Sequence, residues 1–489
     1  MSLYLGIDLG TSSIKGLVIN SQGKILASFA KDTPLISRQS NWAEQSPEFW
    51  WSSVLEIINL LATKIDIKKV ASIGLSGQMH GLVTYDQKYS ILRRAIIWMD
   101  QRSTKQVEQI LKLVPHLYQI TGNPVFPGFL LPSLLWLKKN EPGIYKQIFK
   151  VSSPKDYFAY KLTEVLRTEP TDALATAAFD YKKNSWSKKI ISTCKLKLFL
   201  FPEVQPTTKA YGGITSKVAK LTGLITGTPV YGASDQAMSA MGTGLVKPKQ
   251  ASIAISTGGQ FLVIAPTKII DPKKRLHTLN HALPNIGLYM AATLSAGFSL
   301  SWFKNKITQQ KNLPFDKFSK GIHHINPGSD NLIFLPYLSG ERTPYFNSKL
   351  RGAFIGLSLT HQKIHLVRAI IEGVSFSMKQ CLEVFQELKL PINKVILSGG
   401  GAKNPIWRQI LCDVLNLPMT TINIEDHSPF GAAVFAKFAL EGFDQLPQFY
   451  KKVIKPIDYL YPHEKNAKQY DKLFQTYKQI AQFINKHQV

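Results

Sequence analysis

Apolar and polar residues alternate in short blocks over the first thirty positions. "YLGIDL", "IKGLVIN" and "KILASFA" read as three strands, separated by the turns "GTSS" and "SQG". Near mid-chain, "ASIAIS", "TGG" and "QFLVIAP" repeat the first two strands and their turn. A repeat of this kind predicts two related halves. Elsewhere the apolar period lengthens. "SPEFWWSSVLEIINLLATKI" predicts a helix with Ser46 as N-cap and Pro47 at its first position. Ile364, Val367, Ile371, Val374, Met378, Leu382 and Phe385 recur at helical spacing and predict a long helix that stops before Pro391. "KVILSG" follows as a strand, then a helix from about Asn404 with Pro405 at its first position. Strands alternating with helices predict α/β layers with mostly buried strands. The boundary falls near residue 245, giving regions 1–245 and 246–489. The Lys-rich C-terminal stretch "EKNAKQYDKLFQTYKQIAQFINKH" predicts a solvated helix.

A chain of 489 residues that is 44% hydrophobic can bury a large core without staples. The cysteines Cys194, Cys381 and Cys412 form no CxxC pair, which argues against a disulfide framework or a zinc site. "MSLYLGIDLG" carries no basic leader, and the apolar patch "GFLLPSLLWL" is well short of the roughly 20 residues of a membrane span. A cytoplasmic protein without a membrane partner is expected. The net charge of +27 raises nucleic acid as a partner, yet only ten of the 59 basic residues are Arg and no nucleic-acid motif accompanies them. The expectation is a solvated Lys surface with no nucleic-acid partner, whose field would steer anionic nucleotides to a cleft.

Three turns carry candidate chemistry. In "GIDLGTSSIKG", Asp8 ends a strand and Gly10, Thr11 and Ser12 form the turn, so backbone N–H groups and hydroxyls can cradle phosphate beside a carboxylate suited to Mg²⁺. An ordinary Gly/Ser hairpin would read the same way, but Ser256-Thr257-Gly258-Gly259 repeats it in the second half. "SGGGAKNPIWRQ" places Gly399, Gly400 and Gly401 before a helix N-terminus, a favourable place for an anion or a plain strand-to-helix connection. No GxxxxGK[ST] occurs, so this is no P-loop protein. Asp235, in "VYGASDQAMSAMGTG", is either a helix N-cap or a functional carboxylate. One further turn, "SGQMHG" at residues 76–81, puts a thioether and an imidazole between glycines where an apolar run ends, and neither a core nor an ordinary surface turn asks for that.

With "SGQMHG", the segments "WAEQSPEFWW", "TGNPVFPGF", "SPKDY", "GASDQA", "HALP", "FLPYLSGERTP", "GAFIGL" and "LSGGGAKNPIWRQ" span nearly the whole chain, and they resemble the FGGY family of carbohydrate kinases. The resemblance implies two actin-like, RNase-H-like domains around a central cleft, the fold of hexokinase, actin and Hsp70. It implies an ATP-dependent sugar kinase that uses Mg²⁺, with D-xylulose as the expected acceptor; a homodimer stays open. It carries the catalytic base onto Asp235 and phosphate and metal placement onto Asp8, with Asp235 as a second metal ligand. It carries the sugar contacts onto Gln78, Met79, His80, Trp98, Asp100, Asp235 and Gln236. The nucleotide contacts fall on Gly10, Thr11, Ser12, Thr257, Gly258, Gly400, Gly401 and Asn404. The chain departs from the family pattern at Met99, Ser133, Ser256-Thr257-Gly258 and Tyr345. The rival readings are a kinase for another ketose or polyol (ribulose, glycerol, gluconate or sedoheptulose) and a non-enzymatic actin-like or Hsp70-like ATP switch. The switch class lacks the turn at residues 76–81.

Overall fold

The computed structural model describes residues 1–266 and 268–487. Its two large sheets have six strands each, beside several two-stranded ribbons. The first holds β1 (Leu3–Leu9), β2 (Ser13–Asn20), β3 (Ile25–Asp32), β4 (Val70–Gly77), β5 (Gly212–Gly213) and β6 (Pro229–Gly232), in the order β5-β6-β4-β1-β2-β3. The second holds β7 (Gln250–Ile255), β8 (Gly259–Ala265), β9 (His277–Asn280), β10 (Gly287–Thr293), β11 (Lys394–Ser398) and β12 (Met419–Thr421), in the order β9-β10-β8-β7-β11-β12. Setting aside the edge strands β5 and β9, the two orders are the same. Three antiparallel strands, β1-β2-β3 or β7-β8-β10, are followed by two strands parallel to the first. The repeat read from "YLGIDL" and "ASIAIS" is therefore one of whole sheets.

The helices that shape the site are α1 (Pro47–Ala62), α2 (Pro154–Thr163), α3 (Pro170–Leu174), α4 (Asp235–Gly242), α5 (Lys363–Glu387), α6 (Pro405–Leu415), α7 (His427–Glu441) and α8 (Glu464–His487). Ser46 caps α1, its hydroxyl accepting from the Phe49 N–H at 3.2 Å, and Pro47 takes the first position. Asn404 caps α6 in the same way, accepting from the Ile406 and Trp407 N–H groups. The outer face of the first sheet is covered by α1 and α2 through Trp50, Val54, Ile57, Tyr157 and Phe158. That of the second is covered by α5 and α6.

A third core lies between the sheets. Tyr4, Leu17 and Ile19 face it from the first sheet, Leu262, Ile264 and Met290 from the second, with Met238 and Met241 of α4 and Phe430, Phe435 and Phe438 of α7 between them. Each such fully buried side chain contributes about 1.5–3 kcal/mol. Helix α7 comes late in the chain yet packs on β1, β2 and β4 of the first sheet. It crosses α4 backbone to backbone. A Cβ on Gly431 would lie 1.9 Å from the Met238 carbonyl oxygen, and one on Gly242 would lie 1.9 Å from that of His427. No side chain fits at that crossing.

The C-terminal helix departs from expectation. Lys residues line one side of α8, but Tyr470, Phe474, Tyr477, Ala481 and Ile484 are buried in the core beneath the second sheet. Among the described residues no helix is long and apolar enough to cross a membrane.

Candidate active site

β1 runs straight into the first hairpin, which leaves Asp8 one residue from the end of a buried strand. Its Oδ1 accepts from the Ser76 hydroxyl at 2.6 Å, across the parallel pairing of β1 and β4. Burial pushes the Asp8 carboxyl up to about 6, against the pull of Ser76 and of Lys15, its cross-strand neighbour on β2. Lys15 is itself ion-paired to Asp426, just ahead of α7. Asp235 is the first residue of α4 rather than its N-cap; that position is Ser234, whose hydroxyl makes no capping hydrogen bond. Asp235 accepts from the Gln236 N–H at 2.7 Å. Burial, and then the charge of Asp8, push its carboxyl up to about 7. Two part-exposed carboxylates that feel one another in this way make a pair of hard oxygen donors, which fits Mg²⁺ held alongside phosphate and water. Among the described residues no cluster of three or more His, Cys, Asp or Glu could form an all-protein metal cage.

In the turn at residues 76–81 the left-handed residue is His80, with φ of +75°. Backbone strain at a non-glycine residue persists only where surrounding contacts over-determine it, and here they do. Nδ1 of His80 lies 2.7 Å from the Ala175 carbonyl oxygen, and the ring stacks on Phe129 at 3.9 Å. A carbonyl only accepts, so Nδ1 carries the proton and Nε2 presents a lone pair. Burial, with help from the Arg342 charge, holds the imidazole down at about 4 and therefore neutral. The glycines pack behind the turn: a Cβ on Gly77 would sit 3.0 Å from Cβ of Lys155, and one on Gly81 3.0 Å from the Ile96 carbonyl oxygen. Met79 is buried in the core between the sheets.

Gln78 is also sealed, and it ties the turn to the hairpin. Its backbone N–H donates to the Leu9 carbonyl and its Nε2 to Gln45 Oε1; Gln45 Nε2 then donates to the Thr11 carbonyl at 2.7 Å. Nε1 of Trp98 donates to the Thr11 hydroxyl at 2.8 Å, while its ring stays exposed. Asp100 departs from the expected sugar contact. It is fully buried, and its carboxylate is taken up by the Ala43 N–H and a bidentate Arg102, so it fixes the Trp98-Met99 loop from behind. Gln236 keeps a buried, unpaired Oε1 beside Asp235.

One support was not anticipated. Thr171 in α3 accepts the Ser234 N–H at 2.7 Å and donates to Glu169 Oε1 at 2.7 Å. Ala175, the C-cap of the same helix, is the partner of His80. A five-residue helix thus holds the start of α4 and the imidazole together. It stands on a buried charge cluster, with Lys155 Nζ 2.6 Å from Asp156, 3.3 Å from Asp172 and 3.6 Å from Glu169. Burial of three carboxylates around one cation raises the Glu169 and Asp172 carboxyls.

The second lobe holds the other group. Ser256, Thr257, Gly400, Gly401 and Asn404 line a cavity of about 340 Å³ whose apolar walls include Phe298, Phe315 and Trp407. A flat, apolar slot edged by a Thr turn and a Gly turn suits a nucleotide base, with its phosphates at the backbone N–H groups. Asn404 lends its position only, since its side chain is spent on capping α6 and on Ser319. Ser256 and Thr257 are exposed, and Gly258 closes that hairpin against the Thr293 carbonyl. Gly10 and Ser12 border Thr11 on the first lobe, where Ser12 is exposed. Ser133, at a departure position, is buried in a helix one turn after Phe129, the ring that stacks on His80, and among the described residues its hydroxyl has no partner.

The family model described as "FGGY family of carbohydrate kinases, N-terminal domain" matches residues 3–242, and that of the C-terminal domain matches residues 251–440. The chain is 36% identical over 483 residues to the xylulose kinase of Staphylococcus xylosus, covering 98% of this chain and 100% of the relative. A ligand-bound xylulose kinase from Lactobacillus acidophilus superposes with a TM-score of 0.93 at 28% identity, covering 99% of this chain and 98% of that one. A gluconate kinase from the same organism superposes with a TM-score of 0.94 at 28% identity, with the same coverage.

Proposed function

The chain belongs to the FGGY family of carbohydrate kinases and is an ATP-dependent sugar kinase, and on that premise we propose that its acceptor is D-xylulose, phosphorylated at the terminal hydroxyl to D-xylulose 5-phosphate and ADP. The observation that supports this reading is the turn of Gln78, Met79 and His80 beside the Asp8–Asp235 pair. It sets a neutral imidazole acceptor and a carboxylate base on one lobe, held together by α3. Overall shape does not choose the sugar, because a xylulose kinase and a gluconate kinase superpose equally well. Identity over the full chain leans to the xylulose kinase of Staphylococcus xylosus.

In this reading Asp235 accepts the proton of the attacking hydroxyl as the new O–P bond forms and the bond to the ADP oxygen breaks. Its raised carboxyl value sits near neutral pH, where a general base works best. His80 accepts a hydrogen bond from a second hydroxyl and orients the sugar. The hairpin N–H groups at Gly10–Ser12 and Thr257–Gly258 hold phosphate oxygens. Asp8 and Asp235 are the residues that would hold Mg²⁺, which supplies neutralisation of phosphate charge when bound. Closure of the lobes 1–245 and 246–489 over the cleft would exclude water, the competing nucleophile. The Lys surface has no nucleic-acid partner in this account.

The test is coupled ADP release across pentuloses, hexuloses, polyols and gluconate. The highest kcat/KM is expected on D-xylulose. A clear preference for ribulose, glycerol or gluconate would overturn the sugar and leave the kinase standing.

A further inference from the structure

Beside His80 the second lobe presents an arginine, Arg342, whose charge is felt at the imidazole. Arg342 follows Glu341 in "SGERTP", and its guanidinium makes no hydrogen bond and no ion pair among the described residues. The face of Phe126 lies 5.4 Å away. Arg342 is half-buried, and partial burial holds its pKa below the usual arginine range, against the charge of Glu341. Other unspent groups surround it. Nε2 of His277, on β9, is buried without a partner, and Nε2 of His80 is bare. Aromatic rings wall the space: Phe129 stacks on His80, Phe126 lies 5.8 Å from Phe129, and Phe346 stacks on Phe126 at 6.1 Å. His80, Phe126 and Phe129 come from the first lobe. His277, Arg342 and Phe346 come from the second, and the charge of Arg342 is felt at both histidines.

We infer that Arg342 is a sugar-recognising residue supplied by the second lobe, whose guanidinium donates to the carbonyl oxygen of a 2-ketose while the adjoining hydroxyl donates to Nε2 of His80. This rests on the sugar-kinase reading above. The argument is one of complementary donors and acceptors. Arginine has N–H donors and no acceptor; His80 in its observed tautomer offers an acceptor and no free donor. The ligand must present one O–H beside one bare acceptor oxygen. The hydroxymethyl ketone end of a 2-ketose does so. A polyol puts a hydroxyl proton toward the donor fork unless it turns away, so it fits less well. The other chemistry that satisfies the pair is a carboxylate beside an α-hydroxyl. The aromatic walls take the carbon chain on its apolar faces. Because the two polar groups sit on different lobes, a bound ketose would bridge them.

Arg342→Met removes the fork while keeping a long, flexible side chain, and Arg342→Lys keeps the charge without the fork. Binding of D-xylulose, xylitol, gluconate and ATP to each folded variant would be measured by calorimetry, with a melting curve for each. Arg342→Met should weaken D-xylulose by about 10- to 100-fold and xylitol by less than about threefold, with ATP unchanged and Lys intermediate. Unchanged D-xylulose binding, or an equal loss for D-xylulose and xylitol, would overturn the role of Arg342. A wild-type enzyme that binds gluconate more tightly than D-xylulose would overturn the ketose assignment instead, and with it the D-xylulose reading.

Discussion

Replacing Asp235 by Asn should cost catalysis and gain stability at once, and the two effects have separate origins. The amide keeps the size of the side chain, and its Oδ1 can still accept from the Gln236 N–H at 2.7 Å. Asp235 is the first helical residue and not the N-cap, and the amide keeps its one contact to the first turn, so the helix start is untouched. What disappears is the capacity to take a proton, worth about 10²–10⁴ in kcat for general-base help. What also disappears is a negative charge next to Asp8. The Asp235 carboxyl stands at about 7 against an ordinary 3.8, a difference of about 3 units, with burial as the first cause and Asp8 the second. The sign follows from linkage. The folded state keeps this proton until about pH 7 while the unfolded chain releases it near 3.8, so wild-type stability falls as pH rises through that window. At about 1.36 kcal/mol per unit the ceiling is about 4 kcal/mol; sharing of the effect with Asp8 and screening by cleft water reduce the expected value to about 1–2 kcal/mol.

The assay is therefore paired. Thermal melts without metal or ligand at pH 8 should place Asp235→Asn level with or above wild type, and the advantage should vanish by about pH 4. Coupled ADP release at pH 8 should show kcat down by about 10²–10⁴, with dissociation constants for sugar and ATP within a few-fold. A folded variant with kcat within about tenfold of wild type would remove Asp235 as the base. A variant that melts several degrees lower at pH 8 would refute the electrostatic argument and make the carboxylate structural.

His80→Ala should raise the dissociation constant for the sugar by about tenfold while leaving that for ATP alone, because in the proposed reading the imidazole accepts a sugar hydroxyl and its loss deletes one neutral hydrogen bond along with the stack on Phe129; a fall in ATP affinity seen by calorimetry would make it structural. Gly400→Ala adds a methyl with no protein atom within 4 Å, so the melting temperature should hold while KM for ATP rises, and an unchanged KM would place the nucleotide elsewhere. Thr171→Val keeps the shape but releases the Ser234 N–H and the Glu169 carboxylate, so kcat should drop by about tenfold with sugar binding weakened in step; a variant with lower stability and normal kcat would leave α3 a purely structural element.

Much of the fold is written locally. Each strand–turn–strand block is a run of neighbours, and Ser46-Pro47 and Asn404-Pro405 announce their helices within a few residues. The carboxylate hairpin at Asp8 belongs to the same class. The supports of the site do not. Ser234 is held by Thr171, 63 residues earlier, and His80 by a carbonyl 95 residues later. In each case one partner is a backbone group, the Ser234 N–H or the Ala175 carbonyl, which carries no residue signature, so neither contact could be seen in the chain. Asp100 was misplaced for a related reason. Its motif suggested a ligand, while its actual partners, Arg102 two residues on and the Ala43 N–H, make it a buried brace. The C-terminal helix is a different case. Ala467, Tyr470, Phe474, Tyr477, Ala481 and Ile484 recur every three or four residues, so its buried face was legible in the periodicity, and lysine content outweighed it.

The crossing of α4 and α7 bears on how the site can work at all. Asp235 opens α4, and Gly242 closes it against the His427 carbonyl; Gly431 meets the Met238 carbonyl in return. Backbone contacts of this kind have no side chain to repack, so the two helices have one way to fit and behave as a single body. Asp426, at the head of α7, pairs with Lys15 beside Asp8. The proposed base, the Asp8 hairpin and the crossing are therefore locked to one another, and the carboxylate pair keeps its spacing whatever the outer parts of the lobes do. The closure proposed above would take place away from this hub, where contacts are made through side chains. That is where Arg342, His277 and Phe346 of the second lobe face His80, Phe126 and Phe129 of the first. A sugar that draws those edges together would meet a base already in position, which is the arrangement phosphoryl transfer needs when positioning does most of the work.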